Sequence, residues 1–165
     1  MISQEKLMQT LIKGKYESYV RQNSSYNPYT KSVMYDWEFK LQIDDLLYTD
    51  YFRGFNPYSG VEYIYEKDND TPIWSCDYVG YVKQDTDVSA QEIYKFLKEA
   101  RENHFKDCNN NLFSDYKYEN NIFQYETYFQ GDVTALLQIE NFYCGNLLIA
   151  QQMTSGRLKQ MQGCL

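Results

Sequence analysis

Five carboxylates, Asp44, Asp45, Asp50, Glu62 and Asp77, fall on or beside segments with strand-like alternation, and two that converged would form an acid–base pair. Aromatic residues occupy fixed positions in the same segments. On a strand through Leu47–Phe52, Tyr48, Asp50 and Phe52 share one face, while Leu47, Thr49 and Tyr51 share the other. Trp74, Cys76 and Tyr78 share one face of a later strand. Core packing is the ordinary use of such rings, and solvation the ordinary use of strand carboxylates. The run Tyr48-Thr-Asp50-Tyr51 exceeds packing needs, because a buried Asp requires partners where Leu would fill the space at less cost. The chemistry this pattern suggests is a pocket in which rings stack on a planar ligand while Asp50, Arg53 or Arg157 fixes its polar groups. The candidate ligand-binding set is therefore Tyr48, Asp50, Tyr51, Arg53, Trp74 and Tyr78, with Tyr125, Tyr128 and Arg157 contributed from the second half of the chain.

Other chemistries find less support. His104 is the only histidine and falls near a predicted helix end, a favourable dipole position or a surface site. No G-x-S-x-G elbow accompanies it, and one histidine cannot form a multi-histidine metal centre. Cys76, Cys108, Cys144 and Cys164 lack the close spacing of zinc or redox pairs and read as reduced thiols. The segment between Gly54 and Gly60 is not a phosphate loop. Neither a metal nor a cofactor is expected. The net charge of −7 is spread over both halves without a basic stripe, which disfavours direct nucleic-acid binding. No apolar run would span a membrane, and Gln4, Glu5 and Lys6 interrupt the stretch where a signal peptide would need an apolar core, so a cytoplasmic location is expected.

These residues need elements to position them. Leu7, Leu11 and Met8, Ile12 at helical spacing predict a helix over residues 3–13, with Ser3 as N-cap and Gly14 as its stop. Residues 22–33 read as a loop, and strands are predicted at Tyr35–Leu41, Asp45–Phe52, Val61–Glu66 and Ile73–Val82. The box Ser89-Ala-Gln-Glu92 starts a second helix that ends near His104, with Ile93, Phe96, Leu97 and Ala100 as its apolar stripe. Strands at Leu112–Tyr118, Ile122–Phe129, Ala135–Tyr143 and Leu147–Thr154 follow. Tyr48-x-x-Tyr51-Phe52-x-Gly54 is echoed by Tyr125-x-x-Tyr128-Phe129-x-Gly131, 77 residues later. The expected fold is α+β, one domain over residues 1–165. It is an internally duplicated helix plus antiparallel strand set (about 1–84 and 85–158) whose halves share one core, with a short tail at 159–165. Gln130 and Ala150 stand where Arg53 and Trp74 stand in the first half, so a site would be asymmetric.

The stretch Tyr48-Thr-Asp50-Tyr51-Phe52-Arg-Gly54, then Gly60-Val-Glu62, then Pro72-Ile73-Trp74 through Gly80, resembles a bacterial domain family of unknown function, often attached to a helix-turn-helix module of the XRE type. The resemblance runs from about Leu7 to Leu158. It implies an α+β fold and, for fused members, a sensor-like role; it supplies no catalytic residues. No helix-turn-helix pattern precedes the domain here, and the end of the second half lacks the aromatic and Gly pair. The expected function is non-catalytic binding of a small planar, nucleotide-derived signal, used for sequestration as in a phage counter-defence sponge. The alternatives are a protein-binding inhibitor acting on a host protein through exposed tyrosines, and an enzyme using paired carboxylates. A homodimer is expected.

Overall fold

The computed structural model describes residues 2–159; Cys164 and the expected tail beyond Lys159 lie outside them. Nine strands form one sheet: β1 (Thr30–Lys31), β2 (Trp37–Ile43), β3 (Leu46–Gly54), β4 (Tyr58–Glu66), β5 (Trp74–Val82), β6 (Tyr116–Asn120), β7 (Phe123–Asp132), β8 (Ala135–Cys144) and β9 (Leu147–Leu158). Their order is β1-β2-β3-β4-β5-β9-β8-β7-β6, and every neighbouring pair is antiparallel. Local chemistry makes the hairpins. Asp44, Asn121 and Gly145 adopt the left-handed backbone that tight turns need, at φ 54, 57 and 56. The echoed glycines Gly54 and Gly131 are both left-handed as well, at φ 76 and 90. The predicted loop at 22–33 contains the short edge strand β1.

Two helices cover one face of this sheet. In α1 (Gln4–Lys15), the Ser3 hydroxyl accepts from the Lys6 amide. Gly14 does not stop this helix. It lies inside it, because a Cβ there would come within 2.4 Å of the fully buried Tyr48 ring, and glycine lets α1 lie against β3. The chain then widens into a π-helical turn, Tyr16–Val20. In α2 (Ala90–Asp107) the expected capping box is complete, Ser89 and Glu92 bonding reciprocally.

The core is divided. Leu7, Met8 and Leu11 of α1 pack on Phe39, Leu46, Tyr48, Ile64 and Trp74. Ile93, Phe96, Leu97 and Ala100 of α2 pack on Tyr125, Phe142 and Ile149. Each helix thus buries its own apolar stripe on its own group of strands, at roughly 1.5–3 kcal/mol per large side chain. The π-helical turn packs on α2. No helix among the described residues is long and apolar enough to cross a membrane.

Candidate functional site

Between the helices and the sheet lies a cavity of about 1040 Å³. Its wall is aromatic: Trp37, Phe52, Tyr58, Trp74 and Tyr78 come from the sheet, Tyr19 and Phe105 from the helical layer, and Tyr29 from the segment before β1. The exposed lining residues Asn23, Ser24, Asn27, Phe55, Gln91 and Lys95 mark its mouth. Tyr94 Oη donates to the Phe55 carbonyl at 2.8 Å and ties α2 to the β3–β4 turn there.

The strand register puts a carboxylate pair on the inner wall. Asp50 on β3 is the cross-strand partner of Glu62 on β4, and both are buried. Glu62 is held by Lys15, whose Nζ donates to Oε1 at 2.7 Å and to Oε2 at 2.5 Å. Cys76, opposite Glu62 on β5, adds an S–H donor at 3.2 Å. Asp50 has no such cation. Its Oδ2 accepts from Tyr29 Oη at 2.6 Å and its Oδ1 from Tyr78 Oη at 2.8 Å. Burial, reinforced by the charge of Glu62, pushes the Asp50 carboxyl up to about 7. Burial would lower Lys15, but the Glu62 carboxylate outweighs it and the ammonium is raised. The Cys76 thiol is raised well above its ordinary range by burial and then by Glu62, so it stays protonated.

A second pair faces the first from the other half. Arg101 donates Nε and Nη2 to Glu140 Oε1 and Oε2 at 2.8 and 2.9 Å, and Nη2 also to Gln152 Oε1 at 3.0 Å. Its guanidinium lies over the Tyr19 ring, 4.5 Å from the centroid. Tyr125 Oη donates to Glu140 Oε1 at 3.0 Å, and Tyr58 Oη to Gln152 Oε1 at 2.9 Å. Burial opposes ionisation of Glu140, but Arg101 prevails and holds it below the usual carboxylate range. Thr127 is the cross-strand partner of Glu140, where the first half has Asp50 beside Glu62.

The structure divides the sequence-predicted residues by face. Asp50, Trp74 and Tyr78 line the cavity, and Tyr48 and Tyr125 lie fully buried on the same side of the sheet. Tyr51, Arg53, Tyr128 and Arg157 have the opposite strand parity and sit on the outer face. There Arg53 stacks over Tyr35 at 4.8 Å, and Tyr128 Oη donates to Glu126. Of the five carboxylates only Asp50 and Glu62 converge; Asp44, Asp45 and Asp77 are exposed. His104 is not at the surface. It is 1% exposed, stacked on Tyr116 at 4.7 Å, lowered by burial, and its Nε2 has no hydrogen-bond partner.

Lys15, Arg101 and Glu140 were not in the predicted set, yet the sequence carried a signal for them. Leu7, Leu11 and Lys15 follow one i, i+4 line, and Ile93, Leu97 and Arg101 follow the same line in α2. A cation on a buried stripe demands a buried acid. No curated protein and no solved structure matches the chain. A family model does, over a span from Asp50 on β3 to the end of β9 that includes Glu62, Arg101 and Glu140 but not α1. That match, to the family described as "Domain of unknown function (DUF5680)" over residues 50–158, covers more than half of the chain, and the chain belongs to this family.

Proposed function

We propose that this protein is a non-catalytic binding protein that encloses a small planar, nucleotide-derived ligand in the cavity between its helices and its sheet. The supporting observation is the combination of an aromatic wall with a few inward polar groups in about 1040 Å³. Stacking on such rings contributes roughly 1–3 kcal/mol per base. Lys95 at the mouth and the half-buried Lys98, whose Nζ donates to the Gln22 carbonyl at 2.8 Å, have no carboxylate within ion-pair distance among the described residues, and suit a phosphate. Turnover is not part of the proposal. Glu62 and Glu140 are each held bidentately by a cation, and the Cys76 thiol is protonated rather than nucleophilic. We read the matched pairs Lys15–Glu62 and Arg101–Glu140 as products of an internal duplication. The setting we propose is a reducing cytoplasm, where a domain that holds a signal without passing it on would act as a counter-defence sponge.

Trp37 and Trp74 are the two tryptophans of the chain, and both line the cavity. Titration with a panel of nucleosides and nucleotides is expected to quench their fluorescence and raise the melting temperature. Quenching by none of them would reject the binding reading. Chromatographic detection of a converted nucleotide would reject the non-catalytic part.

A second reading rests on a separate observation, the outer face of the sheet. Tyr128, Ile139, Met153 and Val79 register side by side across β7, β8, β9 and β5, and each is between 42% and 48% exposed. Such a row suits an isologous contact with a second copy of the chain, the homodimer expected from sequence. Light scattering at micromolar concentration is then expected to give twice the 19.8 kDa chain mass. Ile139→Glu is expected to restore the monomer, and a wild-type mass of 19.8 kDa would remove the dimer from consideration.

A further inference from the structure

The two inward pairs differ in one respect that folding does not require. In both halves a helix cation clamps a strand glutamate, and a tyrosine ring lies buried beneath: Lys15, Glu62 and Tyr48 in one, Arg101, Glu140 and Tyr125 in the other. Beside Glu140 the cross-strand neighbour is neutral Thr127, which accepts from Gln138 Nε2 at 3.0 Å. Beside Glu62 it is Asp50, a third carboxylate on the cavity wall, and the two cations that clamp carboxylates there, Lys15 and Arg101, are already engaged by Glu62 and Glu140. Among the described residues its only polar partners are the hydroxyls of Tyr29 and Tyr78, one on each oxygen, so each oxygen keeps a lone pair for a further donor. Threonine fills this place in the second half, so a carboxylate here is not a packing necessity. A second, independent observation points to a missing partner in the same cavity. His104 lines it, is 1% exposed, and leaves Nε2 unbonded.

We propose that Asp50 is the specificity determinant of this cavity and selects planar heterocycles or arenes that present two adjacent N–H donors, the edge shared by guanine and by amidinium groups. A carboxylate receives such an edge bidentately, with two parallel N–H···O bonds. Tyr29 and Tyr78 fix the carboxylate plane from both sides, and the surrounding rings supply the stacking surface for the body of the ligand. Adenine presents an acceptor nitrogen beside its amino group, and uracil a single N–H between carbonyls, so each would set an acceptor against Asp50. This inference rests on the binding reading above and assigns the ligand class for that cavity.

The test is tryptophan-fluorescence titration of the full chain, above pH 7 where Asp50 is ionised, with guanosine, inosine, adenosine, uridine and benzamidine, on the wild type and on Asp50→Asn. Guanosine or benzamidine is expected to bind at least about tenfold more tightly than adenosine and uridine. Inosine, which lacks the second donor, is expected to fall between. Asp50→Asn is expected to weaken the preferred probe by about ten- to a hundredfold. Thr127→Val removes the equivalent position of the other half and is expected to leave the preference in place. Guanosine bound without benzamidine identifies a neutral base edge as the source, and benzamidine without guanosine a cationic one; either supports the proposal. Binding of adenosine or uridine as tight as guanosine, or Asp50→Asn without effect on a probe that binds, overturns it and leaves the binding reading standing. If no probe binds, the proposal is overturned, and if the wider panel of nucleosides and nucleotides fails as well, the binding reading falls with it.

Discussion

Arg101→Ala is expected to be among the most damaging single substitutions in this protein, costing about 3–5 kcal/mol. Arg101 makes three hydrogen bonds, two to Glu140 and one to Gln152, and stacks on Tyr19. Its removal leaves Glu140, 3% exposed, with one neutral donor from Tyr125 and no cation bonded to it. The cost is the unpaired buried charge more than the lost pair. The double variant Arg101→Met with Glu140→Leu is therefore expected to recover most of the stability, since replacing a buried pair by apolar groups of similar volume is often neutral. Urea denaturation checks this through the midpoint at constant slope. A loss below about 1 kcal/mol, the scale of an exposed ion pair, would show that water reaches the pair freely.

Asp50→Asn is expected to stabilise the protein at neutral and higher pH and to do little near pH 4. The folded chain holds the Asp50 proton up to about pH 7, while the unfolded chain loses it near 3.8. Between those values the folded state binds more protons, so this residue's contribution to stability falls as pH rises. Once Asp50 is fully ionised the penalty is on the order of a few kcal/mol. For a domain of this size that is roughly 2–4 °C of melting temperature per kcal/mol. His104 works in the opposite direction. Burial lowers its folded pKa below 6.5, so its contribution is lost as pH falls through the ordinary histidine range. Glu62, Lys15, Tyr29 and Tyr78 face Asp50, and Asp50→Asn leaves all four in place. The informative quantity is thus the difference between the melting temperatures of Asp50→Asn and wild type from pH 4 to 8, in which His104 cancels. That difference is expected to grow with pH and level off above 7. A difference that is flat, or that shrinks, would mean that Asp50 ionises freely in the folded protein.

How much of this could be read beforehand depends on the range of the interaction involved. Local chemistry is written in neighbouring residues. The capping box Ser89–Glu92 and the apolar stripes of both helices were legible and form as the spacing requires. So was the order of one helix followed by strands, twice over. Strand parity was also legible: it placed Tyr48 with Asp50, and Trp74 with Tyr78, on common faces, and these are the residues that face inward. The same parity set Tyr51 and Arg53 on the other side, which the motif's proximity in sequence had obscured. Gly14 read as a helix stop because a glycine near a helix end does that locally; its actual use, clearing space for the Tyr48 ring, depends on a strand more than thirty residues away.

What only tertiary structure decided is which charges meet. Pairing of Lys15 with Glu62, and of Arg101 with Glu140, joins a helix to a strand across a gap set by how each helix lies on the sheet. No spacing rule within one element encodes that gap. The same holds for Asp50, whose two tyrosine partners come from different segments, Tyr29 before β1 and Tyr78 on β5. His104 read as a helix-end residue, in a favourable dipole position or at the surface; it does lie in the last turn of α2, but it is buried, with Tyr116 of β6 stacked upon it. The sequence by itself determined both α-helices, the eight longer strands, their order and the two faces of those strands, since these follow from backbone geometry and local periodicity. The short β1 and the π-helical turn left no such pattern. The cavity, its unbalanced carboxylate and the division of the candidate residues between inner wall and outer face came from packing two helices on one sheet, because burial is a property of the assembled layers.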